Sequence, residues 1–141
     1  MMSYVGISYT LLFFIFGVTV IGCNNENKKQ LEREQKIAYQ KGKHLFREHC
    51  DGCHHEGMVY IMTGPALGPA LEKRDSTWTI HHIKQGSYAA TEDKDSISIA
   101  LRAEGWGFMP GFDFLEDQQI EAILYFMKEE YKKNKHLEKK D

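Results

Sequence analysis

Residues 47–57 read REHCDGCHHEG, a stretch in which two residues separate Cys50 from Cys53 and His54 follows immediately. This spacing places both sulfur atoms on one side of a single backbone turn and carries an imidazole beside them. A disulfide across so few residues would restrain very little of the chain, so it would be a poor structural crosslink. The spacing therefore indicates chemistry at the two thiols.

The C-x-x-C-H pattern is the attachment signature of a c-type haem. Each thiol can form a thioether with one of two neighbouring vinyl groups on the porphyrin edge, and His54 can then reach the iron. Two other interpretations compete with this one. A zinc half-site would need two further ligands, for which His81 and His82 are available, and a thioredoxin-type pair would need a preceding strand, where the pattern here is helical. We predict one haem c, bound covalently through Cys50 and Cys53.

A haem iron held by His54 requires a ligand on its opposite face, and Met109 is the strongest candidate. It lies in the stretch WGFMPGF, residues 106–112, which combines glycines with aromatic residues. Glycine lets the backbone approach a flat group closely, aromatic side chains exclude water, and the following proline holds Met109 extended. The methionines nearer His54 in the chain are too close to reach that face, and His81 or His82 would be the alternative ligand.

Two stretches show the periodicity of amphipathic helices, residues 38–49 and residues 117–131. Gly42 lies on the apolar face of the first, although glycine in a helix interior costs about 1 kcal/mol relative to alanine. We therefore expect another element to approach the backbone closely at Gly42. No convincing pair of strands is present, so the predicted fold class is all-α.

The segment between these helices is rich in turns. Ser76 would cap a short helix that Gly86 ends, residues 87–96 would form a polar loop, and Ser96 would cap a second short helix ended by Gly105. Helices this short bury little apolar surface. The domain, which we place at residues 37–131, therefore needs a large buried prosthetic group to complete its core.

These motifs resemble the class I monohaem cytochromes c from about Tyr39 to Lys128. The matching features are the helix with Gly42 and Phe46, the C-x-x-C-H motif, GPAL at 64–67, MPGF at 109–112, and the helix of residues 115–127 with Tyr125. The resemblance implies a small fold in which the first and last helices cross at Gly42, with Phe46 and Tyr125 at the crossing, around one covalent haem.

The resemblance also implies a role for Pro65, whose carbonyl would accept a hydrogen bond from His54. Such a bond fixes the orientation of the imidazole and raises its basicity. The chain departs from the family pattern at His55, where glycine is usual, and at Glu116, where a capping Ser or Thr is common and whose presence predicts a slightly weaker helix start. Neither departure removes a ligand.

The amino terminus carries a separate signal. Residues 5–22 are uncharged and almost entirely apolar, which indicates a signal peptide or a single membrane anchor. The junction VIGC, ending at Cys23, resembles a bacterial lipoprotein signal and makes Cys23 a candidate lipid attachment site. We expect residues 1–22 to be this signal or anchor, 23–36 a charged tether and 132–141 a basic tail. The protein would be exported and membrane-anchored, facing the periplasm or the cell exterior.

Charge is distributed unevenly along the chain. Residues 44–127 contain six Lys and Arg against thirteen Asp and Glu, whereas the segments on either side are basic. An acidic domain repels nucleic acid, so nucleic acid is excluded as the expected partner. We expect redox partner proteins that present basic docking surfaces.

The function predicted from these features is electron transfer, without enzymatic activity of its own. A haem iron with both axial positions filled by His54 and Met109 exchanges electrons with little rearrangement, and thioether sulfur favours the ferrous state. Two alternatives stay open. The chain could be a haem subunit of a membrane oxidoreductase complex, or a haem enzyme or sensor in which Met109 is displaced.

Overall fold

The computed structural model describes residues 5–92 and 96–138, with side chains for 25–87, 96 and 99–138. The helices are α1 (Val5–His49), α2 (Gly68–Lys73), α3 (Ser76–Glu92), α4 (Ser96–Ala103) and α5 (Asp117–Asn134), and a 3-10 helix follows at Lys135–Leu137. No strand occurs in these ranges, which confirms the all-α fold class. The chain divides into two compact units, Met1–Ile37 and Ala38–Asp141.

The first unit is helical from Val5 onward, and its residues 25–37 are exposed. The side chains of residues 1–24 lie outside the described set. The signal or anchor at 1–22 and the lipid site at Cys23 therefore stay predictions. Within the part of the chain that the structure describes, no helix combines the length and apolarity needed to cross a membrane.

The core of the second unit is built mainly by α5. Its buried residues recur every three or four positions, as expected for a helix that faces a core on one side: Ile120, Ile123, Leu124, Phe126, Met127 and Tyr131. The end of α1 adds Leu45 and Phe46, α3 adds Ile83, and the connecting segments add Met58 and Leu115. One helix near the carboxyl terminus thus packs against apolar residues from α1, α3 and the connecting segments.

Helices α1 and α5 cross in direct contact at Gly42. A Cβ atom added there would lie 1.9 Å from the carbonyl oxygen of Ala122 and 2.9 Å from the Cβ of Phe126, so no side chain fits. The ring at the crossing is Phe126, whose centroid lies 5.4 Å from that of Phe46. The expectation of Tyr125 at this place was wrong by one residue. A step of one residue turns a helix by about 100°, so neighbours cannot both face the crossing.

The start of α3 differs from the prediction in its cap. The carboxylate of Asp75, not the hydroxyl of Ser76, accepts the hydrogen bond from the Trp78 amide, at 2.7 Å. Aspartate and serine are equally good caps, so the sequence alone did not distinguish adjacent candidates.

Gly86 interrupts α3, as predicted, but the helix resumes beyond it. Its backbone has φ 66° and ψ −166°, which is not helical, yet helical geometry returns through Glu92. Residues 87–92 were expected to be loop, and that expectation was wrong. Residues 93–95 of the predicted polar loop lie outside the described residues.

The presence of Glu116 predicted a weak start for α5, but Gln119 also stabilises this helix start. The side-chain oxygen of Gln119 accepts a hydrogen bond from the Glu116 amide at 2.9 Å. This reciprocal contact satisfies an amide that would otherwise lack a partner at the end of the helix.

Candidate haem-binding site

The C-x-x-C-H motif lies in a compact turn at the end of α1. The helix ends at His49, and the amides of Cys53 and His54 both donate to the carbonyl of Cys50, at 3.1 and 2.9 Å. The Cys50 amide still donates to Phe46 in the helix, at 2.7 Å. The turn is therefore a continuation of α1, which connects the motif rigidly to the crossing with α5.

The two thiols of the motif have different surroundings. Cys50 is half-buried and packs against the core, whereas Cys53 is exposed, and the two form no disulfide. Burial, with smaller contributions from Asp51 and Cys53, raises the pKa of the Cys50 thiol to about 12. Both sulfurs are thus available for thioether bonds, and neither is occupied by a structural crosslink.

His54 is buried, with 9% of its surface exposed, and its ring is oriented by a backbone acceptor. Its Nδ1 lies 3.0 Å from the carbonyl oxygen of Pro65, the contact that the family resemblance implied. A carbonyl only accepts, so the proton is on Nδ1 and Nε2 carries a lone pair. Burial lowers the pKa of His54, against the opposing effect of the bond to Pro65. A neutral imidazole with Nε2 available is the form that binds metal.

Gly64 packs directly against this imidazole. A Cβ atom at Gly64 would lie 2.6 Å from Cε1 and 2.9 Å from Nδ1 of His54. The Gly64 amide also donates to the carbonyl of Cys53, at 2.8 Å. The backbone of the Gly64-Pro65 segment therefore lies directly against the ring and connects it to the motif.

Two methionines lie within eight residues after His54, and the structure separates their roles. Met58 is fully buried in the core with a positive φ of 65°, and its carbonyl accepts a hydrogen bond from the Gly68 amide at 2.8 Å. Met62 is 45% exposed. Met58 thus packs the base of the loop, a role that the sequence did not indicate because αL backbone is uncommon for methionine.

Met109 is half-buried and packs against the same core cluster as Cys50. Its amide donates to the hydroxyl of Ser87 at 3.0 Å, and its carbonyl accepts from the Ser87 amide at 3.0 Å. The Phe112 amide donates to the carbonyl of Ile83, also at 3.0 Å. The loop that carries Met109 is therefore attached to α3. Sequence reasoning missed Ser87, because backbone groups form most of this attachment and leave no signature.

The alternative ligands His81 and His82 lie on α3. His81 is exposed, and the ring of His82 stacks on Trp78 with centroids 4.7 Å apart. Among the side chains that the structure describes, no group of three or more His, Cys, Asp or Glu is placed to hold a metal ion. The zinc interpretation thus gains no support from the arrangement of these residues.

The donor set fits a covalently attached haem. The motif supplies two thiols for thioether bonds and a neutral imidazole with an available nitrogen. Met109 supplies a soft thioether sulfur on a loop attached to α3.

Comparison with known proteins agrees with this chemistry. Residues 39–130 match the cytochrome c family. Among solved structures, cytochrome c from Rhodothermus marinus is similar at 20% identity, over 70% of this chain and 80% of that chain, with a TM-score of 0.59. An engineered cytochrome c from the same organism, bound to a carbene intermediate, is similar at 21% identity over 69% of this chain and 80% of that chain, with a TM-score of 0.54. No curated protein matches the chain.

The solved structures share the fold, and the family match covers more than half of the chain, including the C-x-x-C-H turn and the Met109 loop. The chain therefore belongs to the cytochrome c family and is a haem-based electron carrier.

Proposed function

We propose that the chain carries one electron at a time on a single haem c, attached through Cys50 and Cys53, with His54 and Met109 as axial ligands. The observation that carries this proposal is the 3.0 Å hydrogen bond between His54 Nδ1 and the Pro65 carbonyl. It supports ligation because it leaves Nε2 unprotonated and fixes the ring in one orientation. The bound haem supplies reversible exchange between Fe(III) and Fe(II).

The protein residues would set the conditions for that exchange. The bond to Pro65 raises the basicity of His54, which favours the ferric state, whereas a thioether from Met109 favours the ferrous state. Hydrogen bonds attach the Met109 loop to α3 and the His54 turn to α1, so both donors are held against helices. A site held in this way changes oxidation state with little structural rearrangement.

The experiment that tests ligation is Met109→Ala in the haem-loaded protein. We expect the weak charge-transfer band from sulfur to ferric iron to disappear, because the sulfur is gone. We also expect the reduction potential to fall by a sizeable part of the roughly 0.8 V range that axial ligands span. Met62→Ala, which removes an exposed methionine, is the matched control and should change neither quantity. If Met109→Ala retains both the band and the potential, the sulfur ligand is not Met109.

Carbon monoxide distinguishes a carrier from a haem enzyme or sensor. A carrier with both axial positions filled should show the same reduced spectrum with and without the gas, since no coordination position is open. Rapid formation of a carbonyl adduct by the unmodified protein would favour the rival function, in which Met109 leaves the iron on reduction.

We propose that residues 1–22 deliver the chain to a membrane and that Cys23 receives a lipid, so that the domain works outside the cytoplasm. The support is the uncharged apolar run at 5–22 followed by a polar, charged stretch from Asn24. Mass spectrometry of the purified mature protein tests both parts. A mass that begins at a lipid-bearing Cys23 supports the proposal, and an intact amino terminus would mean an uncleaved anchor.

We propose that its redox partners present basic surfaces, because residues 44–127 are strongly acidic. Electrostatic attraction accelerates the encounter and is screened by salt. The second-order rate of electron transfer with a basic partner should therefore fall as ionic strength rises, and a rate that rises with salt would contradict the proposal. Purification of the native complex would show instead whether the chain is a dedicated oxidoreductase subunit.

A further inference from the structure

The kink in α3 and the Met109 loop fit against each other so closely that neither tolerates a side chain at the contact. Gly86 has φ 66°, and a Cβ atom there would lie 2.5 Å from the Met109 carbonyl oxygen and 2.7 Å from the Gly111 amide nitrogen. From the opposite side, a Cβ atom at Gly111 would lie 2.6 Å from the Lys84 carbonyl oxygen. The two segments are therefore in backbone contact over several residues.

Hydrogen bonds hold this contact together, and two of them join Met109 to a single residue. The Met109 amide donates to the Ser87 hydroxyl, and the Ser87 amide donates to the Met109 carbonyl, each at 3.0 Å. Both polar backbone groups of Met109 are thus held by Ser87. One of the two bonds uses a side chain, so it can be removed without changing the backbone.

The segment that carries Met109 also contacts α3 through the backbones of Gly86 and Gly111 and through the bond from the Phe112 amide to Ile83. The segment between α4 and α5 contains no helix of its own, and Pro110 lacks an amide donor. For the Met109 sulfur to leave an iron and admit another ligand, this segment must shift. The Ser87 bonds oppose that shift, because their groups are part-buried and would lose their partners.

We propose that Ser87 is a positioning residue that determines how readily the Met109 sulfur is displaced from the iron, an inference that rests on the proposed ligation by Met109. The hydroxyl of Ser87 holds the Met109 amide and thereby stabilises the closed, six-coordinate arrangement. It keeps the protein an electron carrier by limiting access of small ligands to the iron.

The test is a titration of the ferric, haem-loaded protein with imidazole. Binding is measured by the loss of the charge-transfer band from the Met109 sulfur to the iron. Imidazole binds only where Met109 has left, so its apparent affinity reports the open population. Ser87→Ala removes one hydrogen bond and should tighten apparent imidazole binding by roughly fivefold. Ser87→Thr retains the hydroxyl and should restore wild-type imidazole binding.

Ser76→Ala is the matched control, because it removes a hydroxyl that bonds Lys128 at the same distance, 3.0 Å, in an exposed contact between α3 and α5. It should leave imidazole binding unchanged. If Ser87→Ala lowers the free energy of unfolding but leaves imidazole affinity at the wild-type value, Ser87 is only structural and the inference is overturned.

Met109→Ala separates this failure from failure of the proposed function. With Met109 as the ligand, this variant binds imidazole far more tightly than wild type and lacks the band. If instead it retains the band and the wild-type affinity, the proposed ligation is wrong, and the inference about Ser87 falls with it.

Discussion

At the scale of single residues, His54 is fixed by the backbone of two adjacent residues, Gly64 and Pro65. Pro65 holds Nδ1 by a hydrogen bond, and Gly64 lies against Cε1 with no space for a side chain. Pro65 contributes through its carbonyl, which every residue carries. Gly64 contributes because it has no side chain, which lets its backbone approach the His54 ring. The orientation of the imidazole therefore depends more on the glycine than on the identity of its neighbour.

The Gly64 contact leads to a prediction. Gly64→Ala should place a Cβ atom 2.6 Å from the His54 ring and push the imidazole from its acceptor. We expect the haem-loaded protein to lose about 1–3 kcal/mol of unfolding free energy, measured with denaturant, as for other overpacked sites. Gly52→Ala is the matched control, since no atom lies within 4 Å of a Cβ atom there. Equal stability of the two variants would show that the ring yields without cost.

At the scale of secondary-structure elements, the crossing of α1 and α5 is stabilised by two sets of contacts. Gly42 allows the backbones to touch, and one turn earlier Tyr39 packs its ring on Phe126 with centroids 5.4 Å apart. The Tyr39 hydroxyl donates to Glu130, which also pairs with Lys133 at 2.6 Å. Apolar packing and a part-buried polar network thus stabilise the same crossing.

Gly42→Ala tests the apolar contact between α1 and α5. The sign of the change in unfolding free energy shows whether helix propensity or steric overlap dominates. Alanine in a helix interior would by itself stabilise α1 by about 1 kcal/mol. The added Cβ atom, however, would lie 1.9 Å from the Ala122 carbonyl oxygen and must force the helices apart. We expect a net loss of about 3 kcal/mol in thermal or denaturant unfolding. Gln40→Ala, at an exposed position of α1, should change stability by less than about 0.5 kcal/mol.

Glu130→Gln tests the polar network at the crossing through the pH dependence of the unfolding free energy. Burial alone would raise the pKa of Glu130, but hydrogen bonds from Lys133 and Tyr39 hold it below its usual range. The charged form therefore stabilises the fold above the unfolded pKa of about 4.3, and this stabilisation is lost as the pH falls through the lower folded pKa.

We expect Glu130→Gln to cost about 1–2 kcal/mol of unfolding free energy at neutral pH. The difference from wild type should shrink as the solution is acidified below about pH 4. Glu129→Gln removes a neighbouring carboxylate paired to an exposed lysine, Lys132, and should cost less than about 1 kcal/mol at any pH. A cost for Glu130→Gln that is constant with pH would mean that ionisation of this carboxylate does not contribute.

Some features of these helices and of the candidate site could be predicted from the sequence, and others could not. The C-x-x-C-H motif and a close approach at Gly42 were predicted from the residues, because a short motif and a glycine inside a helix each carry a specific physical requirement. The crossing of the first and last helices and the acceptor at Pro65 were implied by the family resemblance. Phe126 was mistaken for Tyr125, since apolar residues on one stripe differ only by rotation about the helix. The bond between Ser87 and Met109 was not predicted, because it joins residues far apart in the chain and any residue supplies its amides.

At the scale of the whole domain, one helix, α5, holds together segments that contribute few buried residues each. The connecting region from Cys50 to Ser76 adds Met58 as its one fully buried large side chain among the residues described. A domain with such a distributed core has little apolar surface of its own to offset the entropy of ordering its loops. We therefore expect the bound haem to be part of the fold.

The double variant Cys50→Ala/Cys53→Ala tests this dependence. It removes both thioether bonds, so the chain should be isolated without covalent haem. We expect most of its helical circular dichroism and its cooperative unfolding transition to be lost, since small domains commonly require their cofactor. Cys23→Ala retains both thiols of the motif and should bind haem as wild type does. A colourless double variant with a sharp unfolding transition would show that the polypeptide core is sufficient.

The contact of Tyr39 with Glu130 and Lys133 has one more consequence, which concerns the two ends of the domain. Tyr39 follows the first residue of the second unit and contacts Glu130 and Lys133 in the last turns of α5, so the start of this unit lies beside the end of α5. A reporter or affinity tag joined directly after the 3-10 helix at Lys135–Leu137 will accordingly emerge beside the point of entry, and spectroscopic labels for distance measurements belong elsewhere. Adjacent ends also make the domain suitable for insertion into another protein. A domain whose ends lie close together can replace a surface turn without distorting the structure that receives it.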